Sequence, residues 1–225
     1  MAQRVTAAAA RRERGRQEMR ATILDAARRI VVEEGIDALS MRAVARAIGY
    51  SPAALYEYFP AKEDVLAALY FEGAGGLNGR MRDTMAPLPP DVSTAAALMA
   101  LGRAYRAYAH QQPALYRLVL GGGHTVPPVE SGSAEGKPPE QGFEVLVEVA
   151  ARGVERGELL PLPPPVIAVA CWAAVHGFVS LELAELLTGG DQPGHPPPSE
   201  EEGRARREAM FDAALQMCLF GLMKR

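Results

Sequence analysis

Apolar residues recur every three or four positions through most of this 225-residue chain. Ile23, Ala27 and Ile30 show that spacing in the first such segment, and a glycine or a proline ends most of the segments. The spacing is typical of helices that bury one face, and no segment shows the period-two alternation of a strand between hairpin turns. The sequence therefore predicts an all-α protein, long enough to bury a core in one large or two small domains.

Serine, proline and glycine residues mark where the individual helices begin and end. Ser40 and Ser51 stand where a side-chain oxygen can cap a helix, and Pro52 fits a first helical turn. Two Gly-, Pro- and Ser-rich stretches, 121–140 and 188–203, are expected to be mobile. The pattern predicts helices over residues 17–34, 41–48, 52–59, 61–71, 93–112, 113–120, 140–157, 164–187 and 203–225.

The composition is that of an ordinary soluble protein, with an apolar fraction of 48%. No stretch approaches 18 apolar residues without a charge or a break, and the N-terminus lacks the apolar core of a secretion signal. We therefore expect a cytoplasmic protein with no membrane partner. In that reducing compartment the two cysteines, Cys171 and Cys218, are expected to be buried free thiols rather than a disulfide.

Charge is distributed unevenly along the chain. Residues 1–62 carry eleven Lys and Arg against seven acids, a net charge of +4, whereas residues 63–225 carry a net charge of -7. A basic end on an acidic body indicates a polyanionic partner for one part of the chain. A solvated, arginine-rich tail would explain the same asymmetry.

Residues 40–60 have the dimensions of a helix-turn-helix, with a three-residue turn at 49–51. Leu55 and Phe59 are an i, i+4 pair that we expect to pack inward, and four of the chain's 14 aromatic residues fall between positions 50 and 59. The inward pair would meet Val44 and Ile48 of the preceding helix. The residues left facing outward are then Pro52, Ala53, Tyr56 and Glu57.

The outward face suits the major groove of DNA. Its first residues are small, so the helix can press deep into the groove and contact thymine methyl groups. Tyr56 and Tyr58 carry hydroxyls that can reach phosphate oxygens, and Lys62 adds a positive charge at the start of the next helix. Backbone amides at that helix start also favour an anion. The alternative is that the tyrosines only cap a small three-helix core.

The segment "TILDAARRIVVEEGIDALSMRAVARAIGYSPAALYEYFPAKEDVLAAL" (22–69) resembles the N-terminal domain of the tetracycline-repressor (TetR) family of bacterial regulators. The resemblance covers about 48 residues and rests on many fixed spacings. The matching positions are Gly35, Ser40, Ala45, Gly49, Ser51, Leu55, Tyr56, Tyr58, Phe59, Lys62 and Leu66.

The resemblance implies a domain order and a set of DNA contacts. Residues 1–19 would be a basic disordered arm, 20–66 a three-helix DNA-binding domain, and 67–225 a helical bundle that binds ligand and dimerises. The arm could instead reach the minor groove or flanking phosphates. Arg42 matches a position that can read guanine, and Tyr58 stands where many relatives have histidine. Phosphate contacts would come from Ser40, Ser51, Tyr56, Tyr58 and Lys62, and the base-reading turn from Pro52, Ala53 and Ala54.

The segment "CWAAVHGFVSLEL" (171–183) resembles the Trp-x-x-x-His-Gly signature of one C-terminal subtype of the family. Small residues recur on one face of that helix, and apolar residues recur along the last helix. With the resemblance, these stripes predict a four-helix dimer interface, although both could equally be intrachain core. The predicted interface residues are Ala173, Gly177, Ser180, Ala184, Phe211, Leu215, Cys218 and Leu222.

The resemblance also implies a pocket for a small apolar effector within the C-terminal bundle. Each candidate residue could instead be ordinary core. The candidates are Met99, Tyr105, Tyr108, Phe143, Leu146, Trp172 and His176.

The chain carries no motif of catalysis or of cofactor binding. It has no nucleophile elbow, no phosphate-binding or dinucleotide loop, and no metal-ligand spacing among its four histidines. We therefore expect no enzyme activity, no cofactor and no metal. The predicted function is that of an effector-responsive repressor which binds a palindromic operator as a homodimer. The alternative is a ligand-independent regulator or an activator with the same DNA-binding head.

Overall fold

The computed structural model describes residues 2–120, 141–187 and 199–224. Within these ranges the chain is helical, apart from turns and one isolated antiparallel bridge between Leu159 and Met223. The all-α prediction is confirmed. The stretch 121–140, and residues 188–198 of the second stretch expected to be mobile, lie outside the described residues. Residues 200–203 belong to the last helix, which Ser199 caps.

The helices of the described ranges follow the predicted order, with a short 3-10 turn at Ile36–Ala38 between the first two. They are α1 (Ala2–Glu34), α2 (Met41–Ile48), α3 (Pro52–Leu55), α4 (Lys62–Met85), α5 (Thr94–Gln111), α6 (Pro113–Leu120), α7 (Gln141–Glu155), α8 (Pro164–Leu183) and α9 (Glu200–Leu222).

Helix α1 begins at Ala2, not at Gln17 as the sequence predicted. Residues 2–19 therefore continue α1, whereas the sequence predicted a separate disordered arm. Alanine, arginine and glutamate dominate this stretch and are strong helix formers, and no proline interrupts it. The side chains of Arg16 and Arg20 also bond to other parts of the protein.

Helix α4 extends 14 residues beyond the predicted end at Phe71. The sequence predicted an early end because glycine, a poor helix former, occurs four times between positions 73 and 79. Two of these glycines lie where neighbouring helices approach closely. A Cβ atom at Gly73 would lie 2.9 Å from Val119, and one at Gly76 would lie 3.2 Å from the ring of Tyr108.

The described residues form two compact units: residues 2–74 with 113–120, and residues 75–112 with 141–187 and 199–224. The first unit encloses a core of apolar side chains from α1, α2, α3, α4 and α6. The domain boundary expected near residue 66 stays a prediction. The largest fully buried side chains of this core are Phe59, Ile23, Leu39, Leu55, Leu69, Val44 and Val65.

The second unit packs α5, α7, α8 and α9 together. Leu101, Ile167 and Phe211 are fully buried within it. Glu182 on α8 is also buried, and its carboxylate accepts hydrogen bonds from Nε and Nη2 of Arg106 on α5. This bidentate pair gives the buried charge a partner, which a buried carboxylate requires.

Helix α8 corrects one expectation from composition. The helix has 20 residues, and an 18-residue window within it has a mean hydropathy of 1.8, so by length and composition alone the helix could cross a membrane. The expectation that no stretch approaches 18 apolar residues without a charge or a break was therefore wrong. Contacts with α5, α7 and α9 account for the apolar residues on one side of α8 within the second unit.

Candidate nucleic-acid interface

The turn between α2 and α3 is fixed by backbone and side-chain caps. Oγ of Ser40 accepts the N–H of Ala43 at 3.1 Å, and Oγ of Ser51 accepts the N–H of Ala54 at 3.3 Å. Gly49 ends α2 in the left-handed region at φ 73, which glycine adopts without steric cost. The sequence predictions of both caps and of this stop are confirmed.

Helix α3 separates an inward from an outward face. Leu55 and the following Phe59 are buried at 1% exposure each, as predicted. Pro52, Ala53 and Tyr56 are exposed, and 51% of the Tyr56 side chain is open to solvent. Pro52 and Ala53 form the small leading end of the exposed face, as the sequence predicted.

Three further candidates are half-buried. Ala54 and Tyr58 lie at the margin of α3, and Tyr58 packs against the core of the first unit. Lys62 begins α4. The amide of Ala61 donates to Oδ2 of Asp64 at 2.8 Å, so one of the amides expected to favour an anion already has a partner.

Arg42 and Ser40 lie at the start of α2, and both are exposed. In the part of the chain that the structure describes, Arg42 has no ion pair. Its guanidinium is thus available for a planar, bidentate contact. The hydroxyls of Ser40 and Ser51 accept backbone N–H groups as caps, which leaves each O–H able to donate to a phosphate.

Two arginines that the sequence analysis did not assign hold the turn after α3 in place. Nη1 of Arg20 donates to the carbonyl of Tyr58 at 2.6 Å, and its guanidinium lies 4.1 Å from the centre of the Phe59 ring. Nη2 of Arg16 donates to the carbonyl of Glu57 at 3.2 Å. Both arginines lie on the helical face of α1 that carries the core residues at positions 23, 27 and 30. Extending the spacing of those residues towards the N-terminus therefore predicts that positions 16 and 20 also face the protein.

Two protein-family models match the chain. One, described as bacterial regulatory proteins of the tetR family, matches residues 23–69. The other, described as the tetracyclin repressor-like C-terminal domain, matches residues 98–216, more than half of the chain. This chain belongs to the TetR family. It is a DNA-binding regulator of transcription, and α2 and α3 are its helix-turn-helix.

Individual relatives agree with the family assignment. The HTH-type transcriptional regulator Rv1816 of Mycobacterium tuberculosis is 26% identical over 211 residues, covering 79% of this chain and 88% of that protein. A protein of unknown function from Rhodococcus sp. RHA1 has the same fold, with a TM-score of 0.69, 23% identity and coverage of 91% and 95% of the two chains. A TetR family regulator from Marinobacter aquaeolei VT8 shares the fold at a TM-score of 0.63 and 20% identity, covering 95% and 100%.

The second unit of this TetR-family chain contains a small apolar cavity of about 20 Å³. Three of the seven predicted pocket residues line it, namely Tyr105, Leu146 and Trp172. Met99 and Tyr108 are buried but do not line the cavity. The complete lining is Met81, Leu98, Leu101, Gly102, Tyr105, Leu146, Cys171, Trp172, Val175 and Leu215.

A polar network adjoins this cavity. The hydroxyl of Tyr105 is hydrogen-bonded to Nδ1 of His176 at 2.9 Å, and Nε1–H of Trp172 donates to the same hydroxyl at 3.4 Å. The ring of Phe143 lies 6.1 Å from that of Trp172. Burial lowers the pKa of His176, so its imidazole is neutral at pH 7. The network places hydrogen-bonding groups at one wall of an otherwise apolar space.

The residues of the predicted dimer seam on α9 differ in exposure. Phe211 and Leu215 are only 1% and 3% exposed, because they pack inside their own unit. Cys218 and Leu222, which continue that seam, are half-buried. The exposed apolar residues of α9 are instead Met210, Met217 and Phe220.

The small-residue stripe of α8 is more accessible than the predicted α9 seam. Ala173 and Ala184 are exposed, whereas Gly177 and Ser180 are half-buried. Exposed apolar side chains flank the stripe, so one side of α8 presents an apolar surface to solvent. The exposed apolar residues of α8 are Val166, Val169, Trp172 and Leu181.

Proposed function

We propose that the protein is a cytoplasmic, effector-responsive repressor that binds a palindromic operator as a homodimer and catalyses no reaction. The observation that carries the proposal is the exposed face of α3. This face begins with small residues and is flanked by groups that can bind phosphate. Membership of a DNA-binding family supports the role of that face. The apolar surfaces and the cavity of the second unit support the dimer and the effector.

The exposed face divides into base-reading and phosphate-binding groups. Small residues at the head of α3 would meet base edges, and the fork of Arg42 would bind O6 and N7 of guanine. Hydroxyls and the ammonium group of Lys62 would hold the backbone on either side. The proposed DNA-contacting residues are Ser40, Arg42, Ser51, Pro52, Ala53, Ala54, Tyr56, Tyr58 and Lys62.

A second copy of the chain is the proposed occupant of the apolar surfaces on α8 and α9. Met217 is 70% exposed and Phe220 is 71% exposed, which is unusual for large apolar side chains of a protein without a partner. Their spacing with Met210 places all three on one face of α9. Pairing of α8 and α9 with their copies would bury this face and give two recognition helices for two half-sites, about 34 Å apart on the DNA.

The cavity is too small for an organic effector, so an effector can bind there only if the surrounding structure changes. A volume of about 20 Å³ accommodates about one water molecule. Pockets for small organic ligands are usually about 300–1,000 Å³. An effector would therefore bind a conformation in which the surrounding helices have separated, and its higher affinity for that conformation would shift the population.

Helix α4 is the proposed link from effector to DNA. Met81 of this helix lines the cavity, and the same helix begins at Lys62. An effector that displaces Met81 would therefore act on a helix that also carries a phosphate-binding group. The network of Tyr105, Trp172 and His176 would select effectors that carry one polar group on an apolar body.

Selection of bound sites from a random library of duplex DNA would test the proposal. We expect a palindrome whose half-sites lie about one helical turn apart. Compounds that raise the melting temperature of the protein would then be titrated into the complex, and at least one is expected to release the duplex. Selection of a non-palindromic site would contradict the dimer, and stabilising compounds that leave DNA affinity unchanged would favour a ligand-independent regulator.

A further inference from the structure

Contacts between α8 and α9 fix an antiparallel register. The ring of Phe178 packs edge-on against that of Phe211, with centroids 5.3 Å apart. Four residues further along α8, Glu182 lies 3.8 Å from Nε of Arg207, which is four residues back along α9. Equal steps in opposite directions along the two helices therefore lead to facing residues.

The same register places the two cysteines of the chain opposite each other. Cys171 lies seven residues before Phe178, and Cys218 lies seven residues after Phe211. The contacts agree, because the thiol of Cys218 donates to the carbonyl oxygen of Ala170, the residue before Cys171, at 3.9 Å. Cys171 is buried and Cys218 is half-buried, and both are free thiols, as the sequence predicted.

The two thiols differ in reactivity. The neighbouring Cys171 lowers the pKa of the Cys218 thiol to about 7. The neighbouring Cys218, together with burial, raises the pKa of Cys171 well above its usual range. Because the thiolate is the nucleophile, the half-exposed Cys218 is the sulfur that reacts first near neutral pH. Cys171 keeps its proton and is held beside the reacting atom.

We propose that Cys171 and Cys218 are an oxidant-responsive pair that forms an intrachain disulfide on reaction with hydrogen peroxide. The thiolate of Cys218 attacks one peroxide oxygen, the O–O bond breaks, and hydroxide leaves, so that a sulfenic acid forms. Cys171 then loses its proton and attacks Sγ of Cys218. The S–S bond forms, and the expelled hydroxide takes up that proton as water. The two thiols are oxidised by two electrons, and peroxide is reduced to water.

The disulfide would alter the wall of the cavity. Cys171 lines the cavity, and its neighbour Trp172 is the single tryptophan of the chain. A covalent bond between α8 and α9 at this point would restrict the separation of the helices around the cavity. Fluorescence of Trp172 therefore reports on the reaction without a label.

Mass spectrometry of the full-length protein before and after treatment with hydrogen peroxide tests the proposal. We expect each chain to lose two hydrogen atoms and both titratable thiols, to yield one peptide pair joined through Cys171 and Cys218, and to recover on reduction with dithiothreitol. Trp172 fluorescence should change and recover in parallel. Retention of both thiols, a gain of oxygen without a link, or a link between two chains would overturn the proposal.

Two single variants test the order of the steps. Cys171→Ala removes the resolving thiol without burying a hydroxyl. It also removes the group that lowers the pKa of Cys218, so Cys218 should react more slowly but accumulate as a sulfenic acid that dimedone traps. Cys218→Ser should leave Cys171 untouched by peroxide under the same conditions. Dimedone labelling of Cys218→Ser at the rate of Cys171→Ala would overturn the assignment of Cys218 as the reacting sulfur. The peptide map of the unaltered protein tests the disulfide even if a variant fails to fold.

Discussion

Two cations of the helix-turn-helix should contribute to DNA binding in different ways. Arg42 is exposed and presents a planar fork, which can match the two acceptors of a guanine edge. Lys62 presents a compact charge at the start of α4, which suits a phosphate of any sequence. The first contact would change which sequence is bound, and the second would change how tightly every sequence is bound.

Substitution of the two cations should separate these effects. Arg42→Ala is expected to cost about 1–3 kcal/mol at one base position and to relax the preference there. Lys62→Ala is expected to weaken binding to all duplexes and to reduce the slope of log K against log salt by about one unit. Titrations of selected and scrambled duplexes at several salt concentrations would measure both.

Matched controls carry the same change of charge in the second unit. Arg204→Ala and Lys224→Ala each remove one exposed cation and are expected to leave the selected site and its affinity unchanged. If Arg42→Ala or Lys62→Ala bound every duplex as its control does, the role assigned to that residue would be wrong.

At the scale of the helix, local signals allowed both ends of α2 and the start of α3 to be predicted. The predicted end of α3 at residue 59 was wrong, because the helix ends at Leu55, and the lengths of α1 and α4 required tertiary contacts. Ser40, Gly49 and Ser51 set these boundaries of α2 and α3 through bonds to nearby backbone groups. The extension of α4 past Phe71 contains glycines at which neighbouring helices pack closely. The hydrogen bond from Arg20 to Tyr58 spans 38 residues of sequence. Spacing alone does not show such distant partners.

The contacts of Arg20 on α1 with the turn after α3 should contribute to stability. Arg20→Ala removes a charged donor from the carbonyl of Tyr58 and a cation from the ring of Phe59. We expect a loss of roughly 1–3 kcal/mol in the free energy of unfolding, measured by urea titration. Arg14→Ala, an exposed arginine on the same helix, is the control and should be neutral. Equal stability of the two variants would contradict a stabilising role for the contacts of Arg20.

The buried pair between α5 and α8 should give stability that depends on pH. Burial alone would raise the pKa of Glu182, but hydrogen bonds from Arg106 and His110 outweigh it, so its pKa lies below the usual 4.5. Because the pKa is lowered in the folded state, the contribution of Glu182 is fully present above its unfolded pKa. It is lost as pH falls through the folded value.

Glu182→Gln should therefore destabilise the protein by about 3–5 kcal/mol near pH 7, since the substitution leaves the charge of Arg106 without its partner. The difference from the unaltered protein should shrink below about pH 4.5, as measured by urea unfolding at a series of pH values. Glu155→Gln, on the exposed end of α7, is the control. A difference that stays constant with pH would contradict the ionised pair.

For the molecule as a whole, the sequence predicted a dimer seam on a face of α9 that the structure buries in part within the second unit. Phe211 and Leu215 have the helical spacing of a seam, yet they belong to the core of the second unit. Met210, Met217 and Phe220 have an equally good spacing. Periodicity identifies apolar faces, but it does not show which face meets the same chain and which remains exposed.

Substitution on the exposed face of α9 tests the proposed homodimer. Met217→Glu places a charge at the centre of the proposed interface and is expected to halve the mass measured by light scattering. Binding to the palindrome should weaken at the same time, because two half-sites are no longer held together. Val32→Glu, at a 54% exposed apolar position on α1, is the control. A dimer that survives Met217→Glu would place the interface elsewhere.

The most direct test of the account is the affinity of Ala53→Glu for the selected duplex. Ala53 is exposed at the head of α3, so the substitution leaves the core intact and places a negative charge where the base edges should lie. We expect at least about a tenfold loss of affinity, or ~1.4 kcal/mol, by fluorescence anisotropy. Ala96→Glu, exposed in the first turn of α5, should bind as the unaltered protein does. Unchanged affinity of a folded Ala53→Glu would show that this face does not contact DNA.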